Sequence, residues 1–134
     1  MLKKVIISLL VGLFLIACES PSTEGSKNVS FEKTKWTLMS YGRTRMAVPK
    51  KAFISFEDGR YSGYAGCNGM GGKYEVSGDK ISFSAGLSTL MACPDMRLET
   101  KFRQEMGKVD SFVVEGNSLN LKSKDRSVLI FIAK

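Results

Sequence analysis

Three cysteines, Cys18, Cys67 and Cys93, carry most of the chemistry open to this chain. Histidine is absent from all 134 residues. Without an imidazole there is no Ser-His-Asp or Cys-His nucleophile pair, and no His ligand for zinc, copper or iron. The chain is therefore read as a non-enzyme that needs no cofactor.

Cys67 and Cys93 admit three readings. In an oxidising compartment two otherwise unpaired thiols form a disulfide, which here would staple Gly66-Cys67-Asn68-Gly69 to Leu90-Met91-Ala92-Cys93-Pro94. Alternatively, Met70, Met91 and Met96 lie within three residues of one cysteine or the other. Thiolate with thioether suits Cu(I), which would make a copper-handling or thiol-redox protein, although methionines beside cysteines also serve as gap-filling core. Neither a Met-x-x-Met repeat nor a Cys-x-x-Cys is present. The third reading is a reactive thiol at Cys93, activated by the amides of a following helix, yet no base stands ready to take its proton. The disulfide asks least of the surrounding sequence. The glycines at 66, 69, 71 and 72 do not make a phosphate-binding loop, because the lysine and the following helix are missing.

Cys18 belongs to a different stretch. Met-Leu-Lys-Lys is followed by an apolar run from Val5 to Ala17, interrupted only by Ser8 and Gly12. A basic start and a short apolar core make a secretion signal, too short for the ~20 residues of a membrane-spanning helix. Leu15-Ile16-Ala17-Cys18 resembles the bacterial lipobox, which implies that the signal peptide 1–17 is removed and that Cys18 is acylated. Residues 18–33, rich in Ser, Thr and Gly, are then a lipidated flexible tether, and the folded domain occupies 34–134. The expected location is the bacterial envelope, lipid-anchored at the outer membrane and facing the periplasm.

Removing the two lysines Lys3 and Lys4 with the signal lowers the formal charge from +7 to +5. That balance suits anionic lipid or an acidic partner. Nucleic acid is not expected, since no basic run is interleaved with aromatics for stacking.

The elements that position Cys67 and Cys93 are short strands and one helix. Lys35 to Ser40 reads as a strand with Trp36 and Leu38 on one face. Two-residue turns at Asp58-Gly59, Gly78-Asp79 and Gly116-Asn117 predict three hairpins. They pair Phe56 with Tyr61 and Ile54 with Gly63, Val76 with Ile81 and Tyr74 with Phe83, and Val114 with Leu119 and Phe112 with Leu121. Val76, Ile81, Tyr74 and Phe83 are assigned to the core face. A fourth turn at Lys124-Asp125 would set Leu121 beside Val128 and Leu119 beside Ile130. A helix is expected from Pro94, with Leu98, Phe102, Met106 and Val109 as its apolar stripe and Glu99 able to pair with Arg103. It is the natural cover for Leu129 and Phe131. An apolar ligand would lie between the Tyr74, Phe83, Phe112 face and this stripe.

With these residues in view the chain resembles the META domain, the HslJ-like family of bacterial envelope proteins. The likeness rests on Gly66-Cys67-Asn68, on Thr89-Leu90-Met91-Ala92-Cys93, on Glu99 and Phe102, and on Gly116-x-x-Leu119-x-Leu121. Leu90 stands where an arginine is often found in the family. The resemblance implies a mainly β (α+β) fold, a small antiparallel sheet curled into an open or cracked barrel with one helix packed against it. It also implies an envelope setting, associations with heat shock, antibiotic tolerance or virulence, and no accepted biochemical activity. The expected protein is a monomeric lipoprotein that binds an envelope protein or an apolar ligand.

Overall fold

The computed structural model describes residues 28–134. The expected signal peptide, Cys18 and the tether up to residue 27 lie outside the described residues.

Nine strands and one helix follow in the order β1 (Lys35–Ser40), β2 (Phe53–Glu57), β3 (Arg60–Tyr64), β4 (Gly69–Ser77), β5 (Lys80–Phe83), β6 (Leu87–Ser88), α1 (Arg97–Met106), β7 (Ser111–Glu115), β8 (Ser118–Ser123) and β9 (Arg126–Ala133). Turn chemistry sets the registers. Asp58 and Gly59 both take positive φ (49° and 72°), the backbone whose twist matches the flanking strands, and β2 and β3 pair Phe56 with Tyr61 and Ile54 with Gly63. The hairpins at Gly78-Asp79 and Gly116-Asn117 likewise show the predicted partners.

The β8–β9 hairpin departs from expectation. Lys122 faces Ser127, but the next pair is Leu121 with Leu129, so Val128 is an extra residue in a bulge. A bulge changes which face the following residues occupy. Leu119 consequently meets Phe131 rather than Ile130, and Leu129 and Phe131 are fully buried.

The sheet closes, where an open or cracked barrel was expected. Its strands run β3-β2-β1-β9-β8-β7-β5-β4, and β4 returns to β3, making an eight-stranded antiparallel barrel with β6 added beside β4. The length of β4 makes this possible. Its first half pairs with β3 from Gly69 to Lys73, and its second half pairs with β5 from Tyr74 to Ser77. The remaining seam, β5 to β7, is narrow: one residue pair, Lys80 with Ser111, flanked by Ile81 N–H to the Asp110 carbonyl and Phe112 N–H to the Asp79 carbonyl.

Because the strands alternate in direction, the turns at 58–59, 78–79 and 116–117 share one end of the barrel. The loops 41–52, 65–68 and 84–96, the turn at 124–125 and α1 share the other. Trp36, Ile54, Phe56, Leu119, Leu121, Leu129 and Phe131 fill the interior. At the hairpin end Phe31 stacks on Phe56, lies 4.6 Å from Phe112 and meets Tyr74 edge-on. Residues 28–33 had been assigned to the tether, but they pack on the barrel. Val29 N–H donates to the Gly116 carbonyl, and Asn28 Oδ1 accepts from Gly116 N–H. Among the described residues the packing thus extends back from residue 34 to Asn28, and Phe31 occupies part of the space reserved for a ligand. Val76, expected inside, is 45% exposed. Past Tyr74, whose N–H reaches the Gly59 carbonyl, β3 has already turned away and β4 has no neighbour on that side.

At the opposite end Phe102 is fully buried and meets Phe131 edge to face at 6.3 Å. The helix starts at Arg97, three residues later than Pro94. Asp95 Oδ1 accepts the Arg97 N–H at 3.0 Å, placing a carboxylate at the positive end of the helix.

Candidate functional site

The structure brings both sequence motifs together around Asn68. Cys67 and Cys93 form a disulfide with Cα atoms 6.1 Å apart. The adjacent Asn68 is 3% exposed. Its Oδ1 accepts from Thr89 Oγ1 at 2.8 Å and from Met91 N–H at 2.7 Å. Its Nδ2 donates to the Met91 carbonyl at 3.2 Å and to Glu99 Oε1 at 2.9 Å. The Asn68 main-chain N–H donates to Glu99 Oε2 at 2.7 Å. Every polar atom of the Asn68 side chain therefore has a partner, as burial requires.

Glu99 is equally buried, at 3% exposure. Burial alone would raise its pKa. The Asn68 side chain and amide, the Arg103 charge and the Cys67 amide outweigh that, and hold the carboxyl below its ordinary value. Arg103 lies 3.4 Å from Glu99 Oε1 and also donates to Ser88 Oγ. Glu105, the second buried carboxylate of α1, is pushed up by burial but brought below its ordinary value by Lys101 at 2.6 Å and Lys108 at 3.0 Å. Tyr41, whose hydroxyl donates to the Leu98 carbonyl at 2.8 Å, has its pKa pushed up to about 12 by burial and by the Glu105 charge.

Gly66 has a backbone reason for its place. Its φ is +112°, and a Cβ there would lie 2.6 Å from Pro49 Cβ. Only glycine meets both conditions without displacing its neighbours. The remaining motif residue, Ala92, is exposed.

This cluster is a buckle between the two sequence motifs. The side-chain polar atoms of Asn68 are spent on its neighbours, and the disulfide leaves Cys93 without the free thiol that the third reading needs. The Cu(I) set of Cys67, Met70, Met91, Cys93 and Met96 has no thiolate left in this oxidised form. No group of three or more Cys, His, Asp or Glu suited to a metal occurs among the described residues. The inward turn of Glu99 was missed in the sequence, where it was only paired with Arg103. The available signal was its spacing of three from Phe102, which puts it on a buried face of α1.

An open space lies beside the buckle. Where β5 parts from β7, a groove of about 380 Å³ is lined by Tyr61, Met70, Phe83, Met106 and Val109, with residues 84–88 along one side and Arg103 at its edge. Leu87 and Leu90, on the loop that Asn68 and Cys93 hold in place, are 87% and 97% exposed. No helix among the described residues is long and apolar enough to cross a membrane.

Known proteins bear on this geometry in two ways. Solved structures share the fold. An NMR structure of a protein from Burkholderia xenovorans has 22% sequence identity and a TM-score of 0.67, over 78% of this chain and 83% of that one. The crystal structure of a DUF4847 family protein from Bacteroides vulgatus has 16% identity and a TM-score of 0.57, over 77% and 93%. No curated protein matches the chain. The sequence model of the META domain matches residues 29–134, starting at the Val29 that packs against Gly116. It spans the whole barrel, the stapled motifs and α1, and the chain belongs to the META domain family.

Proposed function

We propose that this protein is a non-catalytic, lipid-anchored module of the cell envelope that serves envelope homeostasis under stress, and that its closed barrel is a scaffold for a binding groove. One observation carries the reading: the interior is filled by its own side chains, while a groove lined by both apolar and polar groups stays open at the β5–β7 seam. A ligand cannot lodge in the barrel without expelling Phe31 or Phe102. The groove is at the small end of ligand sites, so it suits one apolar side chain or chain end presented by an envelope partner. Arg103 at the edge fits a group with an acidic neighbour. The disulfide supports an oxidising setting, and the lipobox supports the anchor.

The test begins with the intact mass of protein taken from its own membranes, with and without reduction and alkylation. Acyl mass on a chain beginning at Cys18, and two thiols appearing only after reduction, are the expected results. Photo-crosslinkers at Tyr61 and Phe83 should then capture one occupant, and Met106→Trp, which fills the groove, should abolish capture while a crosslinker at Val76 captures nothing. Unacylated protein would end the anchor reading, and capture indifferent to Met106→Trp would end the groove.

A further inference from the structure

We infer that the loop end of the barrel is a docking surface for an anionic lipid bilayer, with Leu87 and Leu90 as the inserting side chains beside a basic rim. This rests on the envelope reading, whose anchor at Cys18 supplies the reach argued below, but it does not need the groove to be occupied.

Three observations converge. The first is rigidity. Leu87 and Leu90 stand in solvent at 87% and 97% exposure, on a segment fixed by the Cys67–Cys93 disulfide, by Asn68 to Thr89 and Met91, and by pairing of Leu87 with Gly71. Leu87 borders the groove, Leu90 lies outside its lining, and the bonds to this segment hold both in solvent.

The second is charge. The basic loop 41–52 adjoins the stapled segment, since Pro49 touches Gly66 and Met46 lines a hollow with residues 94–97. Arg43 in turn shares a hollow with Arg126. Arg43, Arg45, Lys50, Lys51, Lys124 and Arg126 are exposed, and none takes part in the four ion pairs found among the described residues. Of the acids at this end, Glu99 and Glu105 are buried and paired and Asp95 pairs with Arg97, while Asp110 and Asp125 are exposed. At the hairpin end the turns carry Glu57, Asp58, Asp79 and Glu115 among the lysines. Among the described residues the excess positive charge is therefore gathered at the loop end.

The third is reach. The nine residues 19–27 span at most about 30 Å when extended, comparable to the nine-residue β4. A body tethered at its hairpin end can thus lay its loop end on the same bilayer.

Exposed apolar side chains on a barrel end that also carries exposed Lys and Arg have the composition of an interfacial lipid site, and one acyl anchor with a basic patch binds more firmly than either alone. A convex apolar tip fits a deformable lipid surface, whereas a protein partner would need a matching socket.

The test uses the chain from residue 19, which keeps every described strand and α1 but lacks the anchor. It should co-sediment with vesicles of phosphatidylglycerol and phosphatidylcholine, far less with phosphatidylcholine alone, and more weakly as salt rises. Arg45→Gln and Lys50→Gln should each weaken partition about fivefold, and Leu87→Ser with Leu90→Ser should abolish it. Leu90→Trp should show an emission blue shift only with the anionic vesicles. All these side chains are exposed, so the variants should melt like the parent. Absence of binding to the anionic vesicles overturns the inference, as does binding unchanged by the leucine substitutions. If the parent instead binds poly-glutamate and not vesicles, the rim serves an acidic protein and the lipid assignment fails.

Discussion

Asn68→Ala is the most informative single change. It removes four side-chain hydrogen bonds: two accepted from Thr89 and Met91, one donated to the Met91 carbonyl and one to Glu99. Three are neutral and contribute about 1 kcal/mol each, while the bond to the buried carboxylate contributes about 2 kcal/mol. The Met91 backbone lies close to solvent, its residue being 58% exposed, so water can replace part of the loss. The expected destabilisation is about 3 to 4 kcal/mol, a large share of the stability of a small domain. Because the disulfide keeps the two segments adjacent in the unfolded chain, the cost should appear as a lower urea midpoint with an unchanged slope. Asn68→Asp sharpens the test. It keeps the acceptor that serves Thr89 and Met91 but sets a second carboxylate against Glu99, so at neutral pH it should be less stable than Asn68→Ala. It should recover as pH falls to about 5, once the pair shares a proton. An Asn68→Ala variant within about 1 kcal/mol of the parent would refute the buckle as the source of loop order.

Three further outcomes follow from the same structure. Cys93→Ser should cost about 3.5 kcal/mol by the chain-entropy estimate for a crosslink of 26-residue separation, read as a urea midpoint; a cost below about 1 kcal/mol would mean that the loop is held by Asn68 alone. Phe31→Ala should cost about 3 kcal/mol, and a chain started at residue 34 should melt at least as early, whereas a melt equal to the parent's would return residues 28–33 to the tether. Glu99 has a folded pKa below its unfolded value, so its contribution is complete above the unfolded value of about 4.3 and is lost as pH falls through the lower folded one. Glu99→Gln should therefore flatten the acid limb of a stability-versus-pH curve, and an unchanged limb would remove Glu99 from the linkage.

Hairpin registers were legible from sequence because a two-residue turn fixes both partner and face. Phe56 beside Tyr61 needs only the parity of the strands around Asp58-Gly59. The same reasoning failed at Lys124-Asp125, where the bulge at Val128 is invisible to a two-residue repeat and displaces Leu129 and Phe131 onto the inner face. Closure was illegible as well, since nothing local in Gly69–Ser77 says that its halves serve different neighbours. Asn68 and Glu99 are 31 residues apart. Taken alone, Asn68 was a motif residue beside Cys67 and Glu99 a partner for Arg103, and only the fold joins the two. Phe31 was hidden by the Ser, Thr and Gly before it.

The unequal seams of the ring carry a consequence for its motions. β3 joins β4 through five residue pairs and β5 joins β7 through one, so the ring has a weak point beside the groove. Native-state hydrogen exchange reports partial opening as amides that exchange faster than global unfolding allows. The Ile81 and Phe112 amides, which bridge the narrow seam, should exchange together and ahead of those in β8 and β9. A ring that parts there becomes an eight-stranded sheet hinged at β3 and β4, widening the groove without unfolding the core on Trp36 and Phe131.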